Sequence, residues 1–372
     1  MSPSSSHPAG YGGAAIRRAV GSVLGADAFP AAGFGRWARR ASAALLVLLA
    51  FSPRSFANEE AAPCATNNLG KGHFSVKSLA PARLFRPDVA MSTLANVRGN
   101  EGRIRVDVDW ANVWNYERGV FVIDGEWVYV STRLLLGVWD DLELFVNVPV
   151  AARFGGAMDG MIESTHDAIG QDNDDREAQP RNSFLIDLTA PDGDRFVLSN
   201  EDGGLSDVSL QGAWLMTRGG GRMPAVALQA LVTFPTGDHE ELFGLGEMLY
   251  GGGVTMSKRA GDSPFLLFAG AHATYSDQDE LAGIELERLQ FSGMAGLEYE
   301  ASPSLSWLVQ YTTSSPVAKD YYEFSESIHE LHVGFKKDFA NGTSLELAFT
   351  ENIVAFNNSA DFGIHLGIGR SL

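Results

Sequence analysis

From residue 103 to the C-terminus, hydrophobic residues recur at every second position and polar ones fill the positions between. In "RIRVDVDWANVW" one face carries Ile104, Val106, Val108 and Trp110, and the other Arg103, Arg105, Asp107 and Asp109. In "LELFVNVPV", Leu142, Leu144, Val146 and Val148 oppose Glu143, Phe145 and Asn147. A period of two is the repeat of a β-strand, whose successive side chains point to opposite faces. About twelve such segments follow one another: 103–116, 125–138, 142–153, 206–217, 223–234, 249–257, 265–276, 288–300, 305–313, 328–339, 343–353 and 362–372. Most exceed the roughly 5–6 residues usual in soluble sheets and match the roughly 9–11 that a tilted strand needs to cross a bilayer.

The connections alternate in length. "GVWDD", "TRGGGRM", "RAGDSP", "ASPS" and "DFANG" are tight turns with Gly, Pro, Asn or Asp where turn dihedrals require them. Between them lie long segments such as 154–205, "PTGDHEELFGLGE" and "SSPVAKDYYEFSES". Short turns on one side and long loops on the other describe a transmembrane antiparallel up-and-down β-barrel, an all-β fold with its apolar face in lipid. A soluble sandwich also alternates faces but turns the polar one outward and needs no loop asymmetry. Trp110, Trp114, Trp139, Tyr250, Tyr275, Tyr299 and Tyr311, near strand ends, fit the interfacial aromatic girdles. The C-terminal "FGIHLGIGRSL" is apolar at alternate positions and resembles a barrel assembly signal, although it ends in Leu372 rather than Phe.

Upstream, Arg36, Arg39 and Arg40 precede an apolar run over 41–51, and Ser55, Phe56 and Ala57 form a small-x-small triplet. This is the layout of a cleavable secretory signal, with an apolar run too short to span a bilayer. The expected organisation is therefore a leader and signal over 1–57, a periplasmic segment or plug over 58–102, and a barrel over 103–372. Cys64 is the lone cysteine, so no disulfide framework exists within the chain.

With the apolar face in lipid, the alternate face lines the lumen. It offers Arg103, Arg105, Asp107, Asp109, Arg133, His332 and His365, with Glu143, Gln290, Glu298, Gln310, Glu330, Lys336 and Glu346. Charges of both signs in such a shell require pairing or hydration, so they brace the barrel or line a solute path. Gly363, Gly367 and Gly369 around His365 leave a smooth strip that backbone from a plug or loop could approach. The formal charge of -18 gathers in the long loops. It implies solvated surfaces or a cation-attracting mouth.

One long loop contains "GGAMDGMIESTHDAIG", residues 155–170, which reads as a short helix between strands. Met158, Ile162, Thr165 and Ile169 form one stripe; Asp159, Glu163, His166 and Asp167 form another. Asp159 is placed to cap the helix and Gly170 to end it. Two positions are open: folded into the mouth, where Glu163, His166 and Asp167 would edge a constriction, or outside on the loops.

"DGE" at 124–126, this helical stretch and "FPTGD" at 234–238 together resemble an uncharacterised family of bacterial outer-membrane barrels. The resemblance covers about residue 84 to the end and implies fold and location, but no activity. The leading expectation is a narrow channel or binding site for a small polar or cationic solute. A lipid-acting outer-membrane enzyme is the alternative from another class, but no G-x-S-x-G signature is present. A structural or assembly barrel with a plugged lumen is the third. Expected partners are outer-membrane lipids and lipopolysaccharide, the barrel assembly machinery and a small solute, with no nucleic acid, cofactor, catalytic residue or metal.

Overall fold

A computed structural model of the protein describes residues 68–88, 101–160, 162–164, 176, 179–352 and 358–372. Residues 68–88 contain one short helix, α1 (Pro81–Phe85). Then come β1 (Gly102–Glu117), β2 (Phe121–Trp139), β3 (Leu142–Phe154), β4 (Leu185–Thr189), β5 (Arg195–Leu198) and β6 (Asp202–Leu205). They are followed by β7 (Val208–Thr217), β8 (Ala225–Phe234), β9 (Leu249–Arg259), β10 (Phe265–Ser276), β11 (Glu280–Leu281) and β12 (Ile284–Glu285). The last are β13 (Leu289–Ser302), β14 (Leu305–Ser314), β15 (Ile328–Asp338), β16 (Thr343–Glu351) and β17 (Phe362–Ser371).

Twelve of these strands pair antiparallel in sequence order to form the wall. β1 pairs with β2 on one side and with β17 on the other, from Arg103↔Ser371 to Asn112↔Phe362, so the sheet closes. Closure leaves no unpaired edge in lipid, where an unsatisfied backbone group is costly. The alternation places side chains as the sequence parity predicts. Leu267, Phe291 and Trp307 point outward and are half exposed or more, whereas inward Glu298, Gln310, Glu346 and His365 are buried. Only a lipid environment makes that inside-out distribution stable.

The wall continues above the membrane. β2 has 19 residues. At about 3.3 Å per residue and a tilt of about 45° it rises roughly 44 Å, beyond a hydrocarbon core of about 30 Å. Past the end of β3, β4 takes over the pairing with β2, Phe121↔Leu188 to Asp124↔Leu185, and β6 pairs with the top of β3. This raised rim encloses an apolar core with α1. Phe85 packs against Phe324 and Phe196, and Ile123, Ile186, Leu188 and Ile284 of the same cluster are almost fully buried.

One expectation is corrected here. Trp114 is no girdle residue but buried, with the Arg176 guanidinium 5.3 Å from its ring centre, where β1 rises past the bilayer and a loop covers it. Trp110 is half-buried on the outer face and turns its indole N–H to Glu126 at 2.7 Å. Trp139, Tyr250, Tyr275 and Tyr299 are exposed as a girdle requires.

Candidate functional site

Residues 68–88 run through the lumen from the short-turn end to the long-loop end. Asn68 donates its side-chain amide to Met223 O in the β7–β8 turn (3.1 Å) and accepts from Arg259 N (3.1 Å). At the other end Arg86 donates to Arg288 O (2.7 Å) and Gln278 O (3.3 Å), beside the loop between β10 and β13. An extended chain has no internal partners for its N–H groups, so the wall must supply them. It does so with side chains: Glu298 accepts from Lys71 N (2.9 Å) and Gly72 N (3.2 Å), and Gln310 from Phe74 N (2.7 Å). Glu346 accepts from Ser75 N (2.9 Å) and Asp109 from Lys77 N (3.2 Å). Gly70 makes the close approach possible. Its φ is +58°, and a Cβ there would lie 2.4 Å from Glu298 Oε2.

The same acceptors belong to a buried ion network. Arg105 pairs with Asp107 (2.6 Å) and Glu346 (2.9 Å), Lys336 with Glu346 (2.9 Å), and Arg133 with Asp107 (3.5 Å). His365 lies 2.7 Å from Asp109 and 3.2 Å from Glu346, between two carboxylates that hold the threaded segment. His332 is instead held between the Thr312 and Thr350 hydroxyls at 2.9 and 2.8 Å. Arg103 sits at the short-turn end, beside Ser371 and Leu135, apart from the network. The space at Gly367 serves this network rather than a passing backbone, because a Cβ there would meet Arg105 Nη2 at 2.3 Å and Asp107 Oδ1 at 2.6 Å. Among the described residues no cluster of three or more His, Cys, Asp or Glu side chains is arranged to hold a metal ion.

A profile of the family described as a protein of unknown function (DUF3187) matches residues 57–370. The chain belongs to this family. No curated protein matches the sequence. Among solved structures, an outer membrane channel from Pseudomonas putida F1 is similar, at 12% identity over 77% of this chain and 100% of its own, with a TM-score of 0.52. A TodX monoaromatic hydrocarbon channel (10% identity, 80% and 96% covered, TM-score 0.40) and the NanC porin (9%, 72% and 97%, 0.38) are more distant. The likeness to the first is one of fold: this DUF3187 protein has the fold of an outer-membrane β-barrel.

Two of the motifs that carry the family resemblance, at 124–126 and the start of 155–170, meet at the rim. Glu126 accepts from Ala157 N and Met158 N at 2.6 Å each, so the wall supplies the cap at the helix start. Gly156, at φ +79°, leaves room for that carboxylate. Asp124 accepts from Ser183 Oγ at 2.6 Å. Asp159 does not cap its own helix. Its oxygens accept from Asn112 (3.0 Å), Arg176 (3.1 Å) and Asn182 N (2.7 Å). Asn112 and Glu126 share the outward parity of Val108 and Val128, so this helix start packs on the outer side of the raised wall, above the lipid. The helix is described at 159–160 and 162–164, with Glu163 paired to Arg181. Asp159 and Glu163 therefore lie away from the lumen; His166 and Asp167 lie outside the described residues. In "FPTGD", Thr236 Oγ1 donates to Ser206 O (3.0 Å), and Gly237 N donates to Asp207 (2.9 Å). Asp207 also accepts from Leu245 N (2.7 Å), and burial pushes its carboxyl above the ordinary carboxylate range.

Proposed function

We propose that this protein is an outer-membrane channel for small polar solutes whose lumen is held closed by its own N-terminal segment. The observation that carries this reading is residues 68–88 lying along the lumen with their N–H groups on Glu298, Gln310, Glu346 and Asp109. Much of the wall beside the segment is polar and hydrogen-bonding, as an aqueous path requires, with an apolar patch of Phe268, Leu308 and Ala348 around Phe74, and two small cavities lie along the segment. Conduction then needs the segment to shift. Each wall contact is a hydrogen bond with a net value of about 0.5–1.5 kcal/mol, or about 1.5–3 when charged, so release one at a time is accessible. The run over 41–51 would serve as export signal, and the assembly machinery and outer-membrane lipids as the partners that receive the barrel.

Liposome swelling tests the reading. Vesicles holding the chain without residues 68–88 should swell in small neutral sugars and polyols, and vesicles holding the full chain should swell much more slowly. A folded barrel without the segment that admits nothing would favour the structural reading, in which the apolar core of the rim, with Phe121, Ile186, Leu188, Ile284 and Phe324, seals the mouth permanently.

A further inference from the structure

We infer that the cavity between the N-terminal segment and the wall of β2, β3, β7 and β8 binds a small uncharged solute bearing hydroxyl or amide groups. The inference rests on the channel reading and gives it a substrate class. Three neighbouring strands place Asn147, Ser209 and Thr233 side by side in one row, through the pairings Asn147↔Ser209 and Ser209↔Thr233. All three line the cavity, and Ser209 and Thr233 are 2% and 4% exposed. Asn147 Oδ1, Ser209 Oγ and Thr233 Oγ1 have no hydrogen-bond partner among the described residues. Buried polar atoms are almost always paired, and leaving one unpaired costs about 1–3 kcal/mol. At a strand spacing of about 4.8 Å the row presents polar atoms along roughly 10 Å, a span that a short polyol or amide can bridge.

The charged groups around the same cavity are already engaged. Lys77 Nζ donates to Asp88 O at 2.6 Å and lies 4.3 Å from the Tyr129 ring centre. Arg133 pairs with Asp107, Asp207 accepts two backbone amides, and Asp88 faces His272 at 3.4 Å. Two cations and two anions cancel, so an ionic solute would bring an uncompensated charge into a confined space, which is unfavourable. The atoms left free are neutral, and they match neutral hydrogen-bonding partners.

Saturation-transfer NMR on the full chain in micelles, with glycerol and urea as probes, tests this. Wild type should transfer saturation to both. Ser209→Ala plus Thr233→Val should reduce transfer to background, whereas Thr233→Ser and Ser292→Ala, the latter in the opposite cavity, should retain it. Acetate and ethylammonium should receive none. Retained gel mobility of unheated samples identifies folded variants, and the near-isosteric Thr233→Val alone, which should weaken transfer, serves if the double variant does not fold. No transfer in wild type, as from a cavity that holds water only, would overturn the inference. Undiminished transfer in the folded double variant, or equal transfer to acetate, would do the same. Conductance on removing residues 68–88 is read separately, so binding without conductance sinks the channel reading, and conductance without binding sinks this inference alone.

Discussion

Ser75 donates its backbone N–H to Glu346 at 2.9 Å, joining the threaded segment to the last strand but one of the barrel. The same carboxylate receives Arg105 and Lys336, each at 2.9 Å, and lies 3.2 Å from His365. Glu346 thus ties plug, ion network and barrel closure into one unit.

Neutralising that carboxylate should be costly. Glu346→Gln leaves Lys336 and part of Arg105 without a counter-charge, and breaking a buried pair from one side costs about 3–5 kcal/mol. Gln310→Ala removes only neutral bonds, from Phe74 N at 2.7 Å and to Phe74 O at 3.4 Å, and should cost about 1–2 kcal/mol beyond the loss of its packing. Urea unfolding of the two variants in lipid vesicles measures the difference; equal losses would mean that the network carries little.

Lipid and water can be told apart by two apolar residues of similar exposure. Val309 on β14 is 44% exposed and Val197 on β5 is 46% exposed. Val309→Arg should destabilise by about 2–4 kcal/mol, because it puts a charge into the bilayer. Val197→Arg, on the rim above it, should stay within about 0.5 kcal/mol. The same unfolding assay reads both.

Glu126→Ala removes the acceptor for Ala157 N, Met158 N and the Trp110 indole. Loss of a helix cap costs about 0.5–2 kcal/mol, and here it falls on the loop rather than on the barrel. Trypsin added to intact cells should cut faster at the exposed Arg181 in this variant, while the barrel keeps its unheated gel mobility. Unchanged cleavage would show that Glu126 does not hold the loop.

Gly70→Ala tests the lower end of the plug. A side chain at φ +58° is strained by about 1–3 kcal/mol, and its Cβ would crowd Glu298. The segment should loosen while the wall remains closed. Channel recordings are then expected to show brief openings that wild type lacks.

Strand positions and faces were legible in the sequence because the bilayer imposes a strict alternation. Leu297 and Glu298, or Val309 and Gln310, can be assigned to lipid and lumen by parity alone. The lumen carboxylates were legible as inward but not as plug acceptors, because their partners are backbone amides of "KGHFSVK", which carry no side-chain signature. One signal was available: Phe74 and Val76 alternate with Ser75 and Lys77 before Pro81 starts a helix, a pattern that suits an extended chain between walls of different character. The stretch 155–170 was legible as a helix start, whereas its place was not. That place follows from Asn112 and Glu126, outward-facing residues that a lipid-exposed strand would not carry, and which mark where β1 and β2 leave the membrane.

Single-channel recording in planar bilayers tests the closed lumen most directly, by comparing the full chain with a chain lacking residues 68–88. The account predicts a full chain that is silent for most of the record and a shortened chain with steady, ohmic conductance, both with the gel mobility of folded barrels. Steady conductance of equal size from the two proteins would contradict it, because residues 68–88 could not then be what closes the path.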